Sequence, residues 1–139
     1  MQRVILDTGV LVALLDRKDQ HHLWATEAFR FVGVPMAACD AVLSETWFLL
    51  NRLPPSLEVL HRWIRRGWLV NRFDFETMGN RAYDLMARYR DLPMSYADAC
   101  LVIVAEELQA HSIFTVDSHF QIYRRHGDQP VPLLSPFAA

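Results

Sequence analysis

The chain has 139 residues, 52% hydrophobic and 12% aromatic, which excludes an intrinsically disordered polymer and fits a single domain over residues 1–139. Fourteen basic residues against 16 acidic ones give a net charge of -2, so bulk charge does not mark a nucleic-acid binder. No apolar run approaches the ~20 residues that cross a bilayer, and the opening Met1-Gln2-Arg3-Val4-Ile5-Leu6-Asp7 meets an acid too early for a signal peptide, so a cytoplasmic protein with no membrane partner is expected.

In chain order, Arg3-Val4-Ile5-Leu6 is a short β-prone run, followed by Thr8-Gly9 and an apolar segment, Val10 to Leu15, that reads as a helix ending near Asp16. His21 to Val32 carries Leu23, Trp24, Ala28, Phe31 and Val32 at helical spacing, and Val34 to Cys39 is a second short apolar run. Asp40 is placed to cap a helix through Leu53, which Pro54-Pro55 stops. Ser56 then caps a helix to about Arg66 that Gly67 closes, and Trp68-Leu69-Val70 is a third strand. Phe75 to Arg90 is an arginine-rich helix broken by Pro93, and Ser95 starts a helix with Ala97, Leu101, Val102, Ala105 and Leu108 inward. Ser112 to Val116 is the strongest strand pattern, followed by a short helix from Ser118 to about Arg125 and an extended piece near Val131 to Leu134. Alternating strands and helices with short loops predict an α/β fold with a mostly parallel sheet covered on both sides. Cys39 and Cys100 form no CxxC pair and read as small buried hydrophobes.

Four acids occupy places where a carboxylate is costly. Asp7 and Asp117 directly follow strand runs, Asp98 shares a helix face with Leu101, Val102 and Ala105, and Glu45 flanks the apolar face that carries Leu49. In parallel sheets, ligands collect beyond the carboxyl ends of the strands. Each acid also has an ordinary structural use. Asp98 can close a capping box with Ser95, Asp117 can cap the helix of His119 to Tyr123, Asp7 can start the Val10 helix, and Glu45 can pair with Arg52. Capping accounts neither for the inward face of Asp98 nor for Glu45. An ionised carboxylate removed from water costs several kcal/mol unless a cation or donors answer it. The simplest answer for four together is a hard divalent cation, Mg2+ or Mn2+.

Leu6-Asp7-Thr8, Glu45 on a helix after the second strand, Met94-Ser95-Tyr96-Ala97-Asp98-Ala99 and Phe114-Thr115-Val116-Asp117-Ser118-His119-Phe120 together resemble the PIN-domain ribonucleases, especially the VapC toxins of bacterial toxin-antitoxin pairs. The resemblance covers essentially the whole chain, in the family's order. It implies a PIN-like three-layer sandwich with a mostly parallel central sheet flanked by helices. It also implies a Mg2+- or Mn2+-dependent endoribonuclease in which Asp7, Glu45, Asp98 and Asp117 are the catalytic, metal-binding residues and Thr8, Ser95 and Thr115 are polar supports. Metal-activated water would hydrolyse the RNA phosphodiester, leaving 5′-phosphate and 3′-hydroxyl ends. The same resemblance implies a homodimer and a VapB-like antitoxin that can place an arginine in the acidic pocket.

Lys18 is the only lysine, so 13 of the 14 basic residues are arginines, whose planar fork suits phosphate. Between Arg62 and Arg90, seven arginines face three acids, and Arg65 and Arg66 are the candidates for RNA contact against the plain alternative of a solvated helix face. Seven aromatic residues, Trp24, Phe29, Phe31, Trp47, Phe48, Trp63 and Trp68, exceed what one small core usually takes, so some are expected to face another subunit or a partner. Other chemistries fit worse. Residue 9 is glycine where a haloacid-dehalogenase-type phosphatase needs a second aspartate, there is no G-x-S-x-G elbow, and the six histidines show no zinc spacing. A non-catalytic PIN-like protein-binding module and another Mg2+-dependent phosphohydrolase stand as the alternatives.

Overall fold

A computed structural model describes residues 1–137. Its centre is a five-stranded sheet, wholly parallel, in the order β3-β2-β1-β4-β7. The strands are β1 (Val4–Leu6), β2 (Met36–Ala38), β3 (Leu69–Asn71), β4 (Ser112–Phe114) and β7 (Leu133–Leu134). All three residues of β1 and of β2 are buried, as a sheet covered on both faces requires. Six helices connect them: α1 (Thr8–Leu15), α2 (His22–Phe29), α3 (Asp40–Leu50), α4 (Pro54–Arg65), α5 (Phe75–Arg88) and α6 (Tyr96–Glu107).

The chain steps from β1 to β2 to β3 in one direction and then returns across the sheet to β4. Right-handed crossovers therefore put α1–α4 on one face and α5–α6 on the other, and α1 packs against α2, α3 and α4 while α5 packs against α6. Reversal of the strand order between β1 and β4 opens a crevice at their carboxyl ends.

Four local expectations needed revision. Pro54 and Pro55 do not merely stop α3; they are the first two residues of α4, where a missing N–H costs nothing. Ser56 lies inside α4, and its hydroxyl donates to the Leu15 carbonyl at 2.5 Å, while a ring nitrogen of His22 lies 2.6 Å from the Ala13 carbonyl, so α2 and α4 together satisfy the end of α1. Asp40 is the first residue of α3 rather than its cap, which is Cys39. Residues 118–125 form only a single 3-10 turn, Ser118–Gln121, leading into a two-stranded antiparallel ribbon of β5 (Arg124–Arg125) and β6 (Gln129–Pro130). The ribbon turns through His126 and Gly127, at φ 52° and 87°.

Helix α6 is buried on every side from Asp98 to Ala105, because the sheet lies on one flank and α5 and β5 on the others, with α3 touching its start. The aromatic surplus divides cleanly. Trp24 meets Phe114 edge-on, and Phe29, Trp63 and Trp68 form a chain with centroids 5.4 and 6.1 Å apart, whereas Phe31, Trp47 and Phe48 stay exposed. Cys39 and Cys100 are free and buried. Because Leu101 is fully buried in α6, Leu101→Ala is expected to lower stability by about 2–5 kcal/mol. Urea denaturation would show this as a fall in midpoint at unchanged slope.

Candidate active site

Where β1 ends, the Asp7 amide continues the ladder by donating to the Phe114 carbonyl at 3.1 Å, and the backbone then turns into α1. Asp7 caps that helix: its Oδ1 accepts from the Thr8 amide at 2.8 Å, and its Oδ2 accepts from the Thr115 hydroxyl at 2.6 Å. Thr115 Oγ1 in turn accepts from the Asp117 amide at 2.9 Å, so one hydroxyl ties together the segments that follow β1 and β4. Gly9 makes the approach possible, since a Cβ there would stand 3.0 Å from Val116 Cγ2. Asp117 Oδ1 accepts from the His119 amide at 2.9 Å and lies 2.8 Å from His119 Nδ1.

Asp98 arrives from the other face of the sheet. Its amide donates to Ser95 Oγ at 3.0 Å and its Oδ2 accepts from the Ser95 amide at 3.2 Å, a reciprocal capping box at the start of α6. The buried Tyr123 hydroxyl donates to the same Oδ2 at 3.4 Å. The ordinary uses foreseen for Asp7, Asp98 and Asp117 are thus all real, and they leave Asp98 Oδ1 and Asp117 Oδ2 without a hydrogen bond among the described residues.

Electrostatics set these carboxylates apart from ordinary caps. Asp7 is only 7% exposed, and burial, with Asp98 and Asp117 adding to it, lifts its pKa to about 7 against the donors Thr115 and Thr8. Burial, followed by the charge of Asp117, also raises Asp98 above the usual carboxylate range, with the Ser95 hydrogen bonds opposing. Burial and the Asp98 and Asp117 charges push the Tyr123 phenol up. No basic side chain among the described residues forms an ion pair with Asp7 or Asp98.

Asp7, Asp98 and Asp117 are therefore brought into mutual range, with Thr115 and Ser95 bonded to them as expected. Thr8 is buried, and its hydroxyl has no hydrogen-bond partner among the described residues. Glu45 is exposed on α3 and forms no ion pair with Arg52; it lines a shallow groove with Phe48, Ser95 and Tyr96, beside the start of α6. All of these side chains offer oxygen, the donor set of a hard divalent cation, and the orphaned Thr8 hydroxyl adds one more oxygen beside Asp7. As they stand, no three His, Cys, Asp or Glu side chains among the described residues form a closed ligand group, so the fit lies in donor chemistry and uncompensated charge. Arg65 and Arg66 are exposed at the end of α4, and Arg66 stacks over the Trp68 ring at 5.5 Å. Tyr123 and the His119 contact escaped the sequence reading. Tyr123 fell in a stretch read as an ordinary short helix, and no spacing links it to Asp98.

A carboxyl pKa of about 7 in the fold against 3.8 unfolded means that the native state holds the Asp7 proton more tightly. Stability should therefore fall as pH rises from about 4 to 7 and level off above, by several kcal/mol at most. Asp7→Asn should remove that decline in metal-free buffer, as thermal melts across the range would show.

The model of the PIN domain family matches residues 4–125. No curated protein matches the chain. Among solved structures, VapC20 of Mycobacterium tuberculosis, described as a sarcin-ricin loop cleaving toxin, superposes with a TM-score of 0.71 at 21% identity, over 82% of this chain and 89% of that one, a likeness of fold. With β1 through β5 all inside the matched span and the three aspartates at one edge of its sheet, the chain belongs to the PIN domain family.

Proposed function

We propose that the protein is a VapC-like ribonuclease that hydrolyses RNA phosphodiester bonds with a metal-activated water, using Mg2+ or Mn2+. The observation that carries this reading is the gathering of Asp7, Asp98 and Asp117 at the crevice with no basic partner for the two buried ones. Such a cluster repels itself unless a cation is supplied from outside. Asp7, Asp98 and Asp117 would hold the ion, with Glu45 completing the set from across the groove. When bound, a divalent cation lowers the pKa of water and neutralises charge on the phosphoryl group.

The chain's own residues do the rest. Thr115 orients Asp7 through Oδ2 while Thr8 fixes Oδ1. Ser95 and Tyr123 hold Asp98 by one oxygen and leave the other for a ligand. His119 steadies Asp117 in the same one-sided way. With its pKa raised to about 7, Asp7 is able to carry a proton at its carboxyl near neutrality until a cation displaces it.

VapC20 is described as a toxin, and the fold it shares supports a toxin's role with RNA as the substrate here. Exposed Phe31, Trp47 and Phe48 favour burial against a second copy, as a homodimer, or against a VapB-like antitoxin. An antitoxin arginine would answer the same carboxylates that a cation answers. No helix among the described residues is long and apolar enough to cross a membrane, and we assign the protein to the cytoplasm with its RNA.

RNA cleavage should disappear in EDTA and return with Mg2+ or Mn2+, and Asp98→Asn should lower it by at least about a hundredfold while the fold persists. The added cation should also raise the melting temperature of the wild type. Metal-independent cleavage, or an Asp98→Asn variant of full activity, would remove the reading. A second measurement concerns the arginines of α4. Arg65→Ala should reduce the slope of log affinity for RNA against log salt by about 1 if that residue neutralises a phosphate. An unchanged slope would leave it on a solvated face.

A further inference from the structure

Two basic side chains meet at the other end of the same strands. Arg3 leads into β1 and His111 leads into β4, opposite the ends that carry Asp7 and Asp117. Arg72 follows β3 at the carboxyl end of the sheet, and its side chain joins theirs in lining a pocket of about 120 Å3 together with Pro35 and Val70. No acid is among the lining residues. Neither the Arg3 nor the Arg72 guanidinium makes a hydrogen bond or ion pair among the described residues, whereas Arg81 is paired with Glu106 and Glu107 and Arg125 is spent on the Ala105 and Gln109 carbonyls. His111 is half-buried, and burial, then Arg3 and Arg72, hold its imidazole below the usual range.

Two permanent cations and a histidine converge here without a counter-charge, the mirror image of the aspartate cluster. The pocket is well below the ~300 Å3 at which sites for drug-sized ligands begin, so it suits one compact anionic group. Two guanidinium forks match the oxygens of phosphate, and a protonated imidazole adds a third donor. The surroundings extend the same charge: α4 ends in Arg65 and Arg66, and Trp68, two residues on, accepts from the Met36 amide at the amino end of β2.

We propose that Arg3, Arg72 and His111 form a phosphate-binding site distinct from the carboxylate crevice. The phosphate can come from a phosphodiester of an RNA strand or from a free phosphate or mononucleotide, and the proposal holds whether or not the crevice cleaves RNA. Bound phosphate would favour protonated His111, so affinity should rise as pH falls through the histidine's titration. The charged groups facing His111 are Arg3 and Arg72.

The test is a proton NMR titration of His111 in the full chain without metal, its signals assigned by their loss in His111→Gln. Inorganic phosphate, a 5′-mononucleotide and a short single-stranded oligoribonucleotide are the probes, and chloride at matched ionic strength is the control. Inorganic phosphate should raise the His111 midpoint, and Arg3→Gln and Arg72→Gln should each weaken its apparent affinity by about tenfold. Arg72→Lys should keep part of the response. A midpoint that phosphate leaves unmoved at tens of millimolar, that chloride moves equally, or that moves unchanged in both glutamine variants would overturn the site. Response to the oligoribonucleotide at much lower concentration than to phosphate supports it and identifies RNA as the source; equal or weaker response supports it with free phosphate or nucleotide as the source.

Discussion

One hydroxyl, that of Thr115, ties the two sides of the crevice together. It donates to Asp7 and accepts from the Asp117 amide, so the carboxylate after β1 and the backbone of the aspartate after β4 are tied to the same oxygen. Parallel pairing of β1 and β4 brings the two strand ends level, with Leu6 opposite Phe114, and the hydroxyl converts that register into a fixed spacing between acids. Burial alone would oppose the Asp7 carboxylate there. Hydrogen bonds to it and to the Asp117 carboxylate, together with the absent side chain of Gly9, hold the arrangement against that cost.

Each aspartate of the crevice is also a helix cap. Asp7 caps α1, Asp98 closes the capping box of α6, and Asp117 caps the 3-10 turn. Helix N-termini carry partial positive charge and free amides, so they are the least costly places to bury a carboxylate before any cation arrives. In the proposed ribonuclease, capping would occupy one oxygen of Asp98 and of Asp117 and a cation the other. Two of the three capping side chains keep one oxygen unengaged among the described residues.

Much of this was legible along the chain because it depends on local chemistry. Asp7 and Asp117 follow apolar strand runs, and Ser95-x-x-Asp98 announces a helix start, so the aspartates and the α/β order could be read directly. What could not be read is what arises between distant segments. Pro54-Pro55 signals a break equally well whether it ends one helix or begins the next, and only the tertiary position of Ser56 against Leu15 shows which. The burial of α6 on all sides reflects the return of the chain across the sheet rather than any periodicity. Tyr123 reaches Asp98 from a segment 25 residues away, and Arg3 meets His111 only because β1 and β4 are neighbours. Glu45 shows the limit from the other side: its place in sequence is suggestive, yet its side chain lies in the open groove rather than in the packed cluster.

The bond between Thr115 and Asp7 joins residues 108 positions apart. During synthesis Asp7 emerges before Thr115, and no fragment that ends before Thr115 contains both halves of the crevice. The acidic edge comes into being only as the long connection from β1 to β4 closes, among the slowest kinds of contact to form. For a chain that acts on RNA, this ordering would spare the message and ribosome that are producing it.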